Sequence, residues 1–296
     1  MKGSLNCIES VRVPQLETPI RLQDMAGGLF VKKPTKSGLK KAIKKGLVAI
    51  DVKKASLGDF LYGGEYIHLY QDSATTNKPS IDLSIEILYE DAYLAVVYKP
   101  AGITVSGNKK WTLENALSTK LKKSEAIDAL DCPEPIHRLD HPTSGALLIG
   151  KTTAAVIALN NCFKEKTIEK TYYAVTVKKM MAAGTIQLPI DGKVSHSDFT
   201  VIETVISPTF EALNLVKIHP KTGRKHQIRK HLSSLGNPIL GDKEYGLQGF
   251  EHKGKGLYLH AYSLRFTHPF TGENCDVKTI LPKKFKRLFP KTSATI

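Results

Sequence analysis

His137-Arg138-Leu139-Asp140 stand just ahead of a Pro142-Thr143-Ser144-Gly145 turn and the apolar run Ala146-Leu147-Leu148-Ile149, in a chain with a net charge of +15. The carboxylate of Asp140 is thus set beside an arginine on a molecule otherwise built to attract polyanions. Pro142 fixes the backbone after it and predicts a side chain mounted at a sheet edge, where site residues are often carried. If the segment is extended, Arg138 points to the same side. The plain alternative is a surface ion pair worth at most ~1 kcal/mol, and the tetrapeptide alone does not decide between the two.

Two further blocks hold reactive side chains. In Lys170-Thr171-Tyr172-Tyr173-Ala174, strand alternation sends the two tyrosines to opposite faces, one to the core and one free to stack. A free tyrosine offers a flat apolar face and a hydroxyl, suited to a flipped base and to proton exchange with it; the alternative is ordinary packing. In Thr222-Gly223-Arg224-Lys225-His226-Gln227-Ile228-Arg229-Lys230-His231-Leu232, a helix is expected from Arg224 to Leu235, ending at Gly236. Ile228, Leu232 and Leu235 form its buried stripe, with His226 and Arg229 on a neighbouring face. A half-buried arginine there can hold a carboxylate by two parallel hydrogen bonds and keep it ionised; a phosphate contact or a solvated charge is the alternative.

Several chemistries are disfavoured. His226 and His231 are five residues apart and no glutamate follows the first, unlike a zinc protease helix. His137 and His141 flank Asp140, but there is no Gly-x-Ser-x-Gly, so a hydrolase using Asp140 or a histidine pair needs a coincidence of folding. Neither Gly-x-Gly-x-x-Gly nor Gly-x-x-x-x-Gly-Lys-Ser/Thr occurs, and no nucleotide cofactor is signalled. Cys7, Cys132, Cys162 and Cys275 lack paired spacing, which argues for free thiols in a reducing compartment and against a zinc cage.

These side chains must be positioned by a chain of 296 residues, 41% of them apolar, enough for one large domain and a small one. A sequence pI near 9.5 favours nucleic acid as partner, with an anionic membrane surface second. No stretch approaches the ~20 apolar residues of a membrane span, and none resembles a signal peptide. The expectation is a cytoplasmic monomer.

The polar segment from Asp72 to Ser80 reads as the core of a linker. The expected division is a small amino-terminal domain over 1–71, a linker over 72–84, a large domain over 85–290 and a tail over 291–296. Residues 1–54 hold twelve Lys and Arg against four Asp and Glu, a net of +8 (12 − 4). Within them Ser37 is expected to cap a helix ending at Gly46, with Leu39, Ala42 and Ile43 inward and Lys40, Lys41, Lys44 and Lys45 outward. Strands are predicted at 47–50 and 66–70. In the large domain, strands at 85–89 and 94–98 form a hairpin, Thr112 and Thr152 or Thr153 start helices, and a strand covers 171–177. An α+β fold follows, a mixed, largely antiparallel sheet with flanking helices, preceded by a small α/β domain.

The segment from Ser37 to Leu69 resembles the S-four-type RNA-binding domain, with Gly38 where that family has arginine and Asp51-Val52 where it has an Asn-Gly turn. Residues 85–285 resemble the RluA-type pseudouridine synthases. The likeness is carried by Tyr89-Glu90-Asp91 and Lys99-Pro100-Ala101-Gly102, by the three blocks above, by Gly236-Asn237-Pro238-Ile239, Gly241-Asp242 and Tyr245-Gly246, and by Leu259-His260-Ala261 and His268-Pro269. It departs at Val105-Ser106, where valine-histidine is usual, and at Lys225, where threonine is common.

The resemblance implies the pseudouridine synthase fold and a reaction without cofactor or metal. A uridine in structured RNA, ribosomal sooner than transfer, is extruded and isomerised to its carbon-linked form. By the same resemblance Asp140 is the essential carboxylate, Tyr172 stacks on the detached base and assists removal of its ring proton, and Arg229 pairs with Asp140. Arg138 fills the gap that the base leaves. His137, Arg224 and His226 are expected to bind RNA, as is the lysine-rich face of the amino-terminal helix at Lys40, Lys41, Lys44 and Lys45, for which a solvated helix face is the alternative. The competing reading is a non-catalytic RNA-binding protein using the same basic surface.

Overall fold

Two main sheets, of four and ten strands, and one two-stranded sheet organise the described residues. The computed structural model describes residues 5–25, 27–72, 80–247 and 256–292. The amino-terminal unit begins with β1 (Leu5–Arg12), β2 (Ile20–Arg21), α1 (Leu22–Met25) and α2 (Lys36–Lys44). It closes with β3 (Val48–Ile50), β4 (Lys53–Lys54), β5 (Phe60–Leu61) and β6 (Tyr66–Asp72). Its main sheet runs β1-β6-β3-β4, and β2 pairs with β5. Leu39, Ala42 and Ile43 of α2 are buried against Val48, Ile67 and Leu69, and Lys40, Lys41, Lys44 and Lys45 are exposed, as the 3.6-residue period requires. The helix starts earlier than expected. Thr35, not Ser37, is its cap, its hydroxyl accepting the Gly38 N–H at 3.1 Å. Gly46 takes the left-handed conformation at φ 71° and stops it.

The second unit opens with β7 (Ile87–Glu90), β8 (Leu94–Lys99), α3 (Glu114–Lys120), β9 (Ala129–Pro135), β10 (Ser144–Thr152) and α4 (Thr153–Glu165). It continues with β11 (Glu169–Val177), β12 (Ala183–Ile186), β13 (Ser197–Ser207), β14 (Glu211–Pro220) and α5 (Gln227–Ser234). β15 (Leu259–Thr267), β16 (Asn274–Lys278) and α6 (Lys283–Leu288) complete it. The sheet runs β12-β13-β14-β11-β15-β10-β8-β7, with β9 beside β10 and β16 beside β15. Alternation sorts its side chains between two layers: Leu94 and Val96 pack with Leu159 of α4, while Ala95 and Val97 pack with Leu113 and Leu117 at α3. Ile228 and Leu232 of α5 and Phe285 of α6 cover the other half. This is an α+β architecture, a mixed, largely antiparallel sheet with flanking helices.

Two expected boundaries move. Positions 73–79 of the expected linker lie outside the described residues, but Ile81 is buried with Ile103 and Ala116 and donates its N–H to Asn115. An apolar residue that can be buried does not remain linker. At the other end Phe289 is fully buried and the Thr292 hydroxyl donates to Glu203, so chain assigned to the tail is anchored. No described helix is long and apolar enough to cross a membrane.

The two halves of the sheet meet where β10 runs parallel to β15, Ser144 opposite His260 and Gly145 opposite Ala261. Every other strand pair is antiparallel. Gly145 sits at φ 125°, and a Cβ there would lie 2.0 Å from the Ala261 carbonyl oxygen. Only glycine permits this approach. His260 spans the seam, with Nδ1 2.9 Å from Ser144 Oγ and Nε2 2.6 Å from Thr279 Oγ1.

Gly145→Ala is expected to destabilise the protein by at least about 3 kcal/mol through clash and backbone strain together, read as a lowered denaturant midpoint. Burial also lowers the His260 pKa from 6.5 to about 3. The folded value lies below the unfolded one, so acid protonates the unfolded chain first and stability falls as pH drops below about 6.5. Urea titrations between about pH 6.5 and 4.5 should show a slope of about 1.4 kcal/mol per pH unit from each such histidine, reduced by one share in His260→Gln.

Candidate active site

Asp140 lies in the loop between β9 and β10, at the rim of the central seam. A cleft of about 920 Å³ opens there, lined by Asp140, Tyr172 and Arg229 among others. The loop is fixed from beneath by Lys99, the last residue of β8 and fully buried. Its ammonium donates to the carbonyls of Pro100 at 2.8 Å, His141 at 3.3 Å and Thr143 at 2.7 Å. Burial pulls its pKa down to about 8, against the favourable charge of Asp140. Gly102 N–H also donates to His141, and Thr143 N–H closes the turn on the Asp140 carbonyl. The carboxylate is therefore carried on a backbone held at several points, which limits how far it can wander.

Arg229, on α5, is 5% exposed. Its Nη1 approaches Asp140 Oδ2 at 3.6 Å, but its two parallel hydrogen bonds go elsewhere. Nε donates to Asp242 Oδ2 at 2.8 Å and Nη2 to Asp242 Oδ1 at 2.7 Å, with a further bond to Glu244 Oε2 at 3.2 Å. The carboxylate held by two parallel hydrogen bonds is Asp242, while Asp140, which the resemblance pairs with Arg229, meets the guanidinium at ion-pair distance. The reason is distance along the wall: Asp242 is wholly buried behind the guanidinium, whereas Asp140 faces the cleft and meets only its outer nitrogen. Burial alone would lower the Arg229 pKa, but its hydrogen bonds to Asp242 and the negative charge of that carboxylate raise it. Asp242, despite burial, is held below the usual carboxylate range by Arg229 and by the Glu244 and Tyr245 N–H groups.

The helix carrying Arg229 starts at Gln227 rather than Arg224. His226 occupies the left-handed region at φ 54°, which interrupts helix, and the Gln227 side chain replaces the missing turn. Its Oε1 accepts the Arg224 N–H and the Thr222 hydroxyl, and its Nε2 donates to His196 O and Ser197 Oγ. This turn brings His226 Nε2 to 3.8 Å from Asp140 Oδ1. Its Nδ1 lies 3.0 Å from the Tyr245 hydroxyl, whose proton is directed to Glu244 Oε1. His231, five residues on, is buried against Ser195 and Ser197, so the two histidines share no face.

Tyr172 on β11 is half-buried in the cleft wall and Tyr173 is 4% exposed in the core, as alternation required. Burial, together with the negative charge of Asp140, raises the Tyr172 pKa and keeps its phenol protonated. Lys170 lines the same wall, its pKa lowered to about 8 by burial. Arg138 is exposed on the rim, and among the described residues no ion pair joins it to Asp140. Arg224 is exposed too, with Nε bound to Val194 O at 3.1 Å.

His137 is turned inward. Its Nε2 accepts the Leu148 N–H at 3.1 Å and its ring lies 5.0 Å from Phe163. Burial lowers its pKa to about 3, so the ring is neutral and braces β10 while lining the cleft.

A family model described as RNA pseudouridylate synthase matches residues 93–234. A protein of Xanthomonas campestris pv. campestris named ribosomal large subunit pseudouridine synthase D is 31% identical, over 86% of this chain and 83% of its own. An uncharacterized RNA pseudouridine synthase of Aquifex aeolicus is 34% identical, over 86% of this chain and 88% of its own. This chain belongs to the RluA-type pseudouridine synthases. The solved structure of human RNA pseudouridylate synthase domain containing 1 agrees, superposing on 68% of the chain and covering 86% of that protein, with TM-score 0.56 and 28% identity.

In this synthase the sequence motifs marked more than their reading extracted. Gly241-Asp242 and Tyr245-Gly246 were visible as motifs, yet the roles of Asp242, Glu244 and Tyr245 around Arg229 appear only in three dimensions. Tyr245 also lies under the guanidinium, 4.9 Å from ring centroid to Cζ. Asp242→Ala leaves a buried guanidinium without its main partner and is expected to destabilise the synthase by about 3–5 kcal/mol. Chemical denaturation measures this, and a change under about 1 kcal/mol would show the pair to be dispensable.

Proposed function

We propose that this synthase isomerises uridine in ribosomal RNA, with Asp140 as the essential carboxylate. The observation that carries the reading is the placement of Asp140, on a clamped loop at the cleft, 3.6 Å from a guanidinium already tied to Asp242 and facing the protonated phenol of Tyr172. Ribosomal RNA is supported by the name of the Xanthomonas relative and by the net charge of +15.

In the reaction the bond between the sugar's anomeric carbon and the uracil ring nitrogen breaks. Whether the carboxylate adds to that carbon or takes a neighbouring sugar proton, it must be ionised and fixed, which Lys99 and Arg229 provide. The base turns, its ring carbon bonds to the sugar, that carbon loses a proton and the freed nitrogen gains one. Tyr172 holds the loose base by its ring face. Its raised pKa makes it a hydroxyl relay for the ring proton rather than a resting phenolate. Arg138, planar, charged and exposed at the rim, fills the vacated stack. Arg224, His226 and the lysines at 40, 41, 44 and 45 hold the RNA through phosphates.

Asp140→Asn removes the charge while preserving shape. Tritium release from ring-labelled uridine in a large-subunit ribosomal RNA transcript should fall by about 10³-fold or more, while affinity for that transcript changes less than about threefold. Turnover surviving the substitution would refute the assignment. A transfer RNA transcript modified faster than the ribosomal one would refute the substrate.

A further inference from the structure

The amino-terminal sheet is covered on one side only. Ile67 and Leu69 of β6 face α2 and the core, so alternation turns Tyr66, His68 and Tyr70 to the opposite side. There Tyr66 is 46% exposed and His68 and Tyr70 are half-exposed. The rings form a row. Tyr66 and His68 are 6.2 Å apart and within 10° of parallel, and His68 and Tyr70 are 6.3 Å apart.

The neighbours keep the row accessible. Ser10 of β1 and Ala49 of β3 lie opposite His68, and Cys7 lies opposite Tyr70, all too small to cover a ring. Ser10 Oγ holds His68 Nδ1 at 2.8 Å, which fixes the middle ring. Cations border it. Arg12 lies opposite Tyr66 with its guanidinium 5.8 Å from the ring centre, and exposed Lys54 is paired with Ala49, its flexible side chain resting against Gly46 and free to swing to a phosphate. One exposed tyrosine needs no explanation. Three aromatic rings at alternate positions, flanked by small residues and edged with positive charge, match what splayed bases and their phosphates require.

We propose that this sheet face binds single-stranded RNA, with bases stacking on Tyr66, His68 and Tyr70 and phosphates meeting Arg12 and Lys54. The surface is the reverse of the one presented by the lysines of α2. The two would let one small domain hold an unpaired strand and a neighbouring phosphate backbone together. The inference does not depend on the chemistry assigned to Asp140.

Fluorescence anisotropy of the full chain with a labelled oligocytidylate of about 12 nucleotides, and with a duplex of equal length, tests it. Oligocytidylate offers no uridine for isomerisation. Tyr66→Ala/Tyr70→Ala should weaken single-strand binding by about tenfold or more and leave duplex binding unchanged. Tyr66→Phe/Tyr70→Phe, which keeps the rings, should retain wild-type affinity, and so should Asp140→Asn. Equal single-strand affinity in the alanine pair overturns the proposal, as does an equal loss for the duplex. Sedimentation in which the alanine pair dissolves a dimer while oligocytidylate binding persists would also overturn it, assigning the face to a second copy of the chain.

Discussion

The buried pair of Arg229 and Asp242 is the interaction on which the site depends. A guanidinium this deeply buried is stable only when its donors are used, and Asp242 takes two of them in parallel while its own lone pairs are filled by two backbone N–H groups. The pairing fixes the plane of the guanidinium. Nη1 is left facing the cleft, where Asp140 meets it at 3.6 Å, too long for a committed hydrogen bond and close enough for charge to act. Asp140 is steadied by a neighbour that does not consume it, as the role proposed for it requires.

The second constraint is the seam between the halves of the sheet. Asp140 arrives from the β9–β10 side, while Tyr172 on β11 and Arg229 on α5 belong to the other half. Their meeting depends on β10 lying against β15, and that contact depends on the absent side chain of Gly145 and on the Ser144–His260–Thr279 chain. Lys99 transmits the position of β8 to the loop by three carbonyl contacts. Buried polar groups around the site are thus largely satisfied by the backbone and side chains they support, and Thr143 Oγ1, in the Asp140 loop, is the one buried side-chain polar atom without a partner among the described residues.

Much of this was legible in the chain. The three reactive blocks are local, and the alternation that separates Tyr172 from Tyr173 or the period that turns the α2 lysines outward needs no tertiary knowledge. Three features were not local. β1 escaped because a bulge between Cys7 and Glu9 breaks the alternation of an already polar segment. The start of α5 was misplaced because His226 adopts a backbone conformation that its residue type rarely takes. The choice of Asp242 over Asp140 as the arginine's main partner, and the inward turn of His137 to Leu148 N–H, are decided by which groups lie behind a side chain, and spacing along one strand or helix cannot tell front from back.

Charge is sorted by depth in a way that fits the chemistry. Around Arg229 three carboxylates converge, Asp140, Asp242 and Glu244, and they are balanced by Arg229 itself, by Lys99 beneath the Asp140 loop and by Lys170 in the wall. The rim of the same cleft holds Arg138, Lys164, Lys166, Lys221, Arg224 and Lys225, all exposed. A phosphate is attracted to the rim, where the cations are exposed, while the charge-balanced floor offers it no comparable gain and suits an uncharged base and ribose. Under the proposed function the exposed cations of the rim gather the RNA backbone at the surface and leave the charge-balanced floor to the uncharged base and ribose. An Asp140 carboxylate placed against the field of the whole molecule is the consequence of that sorting.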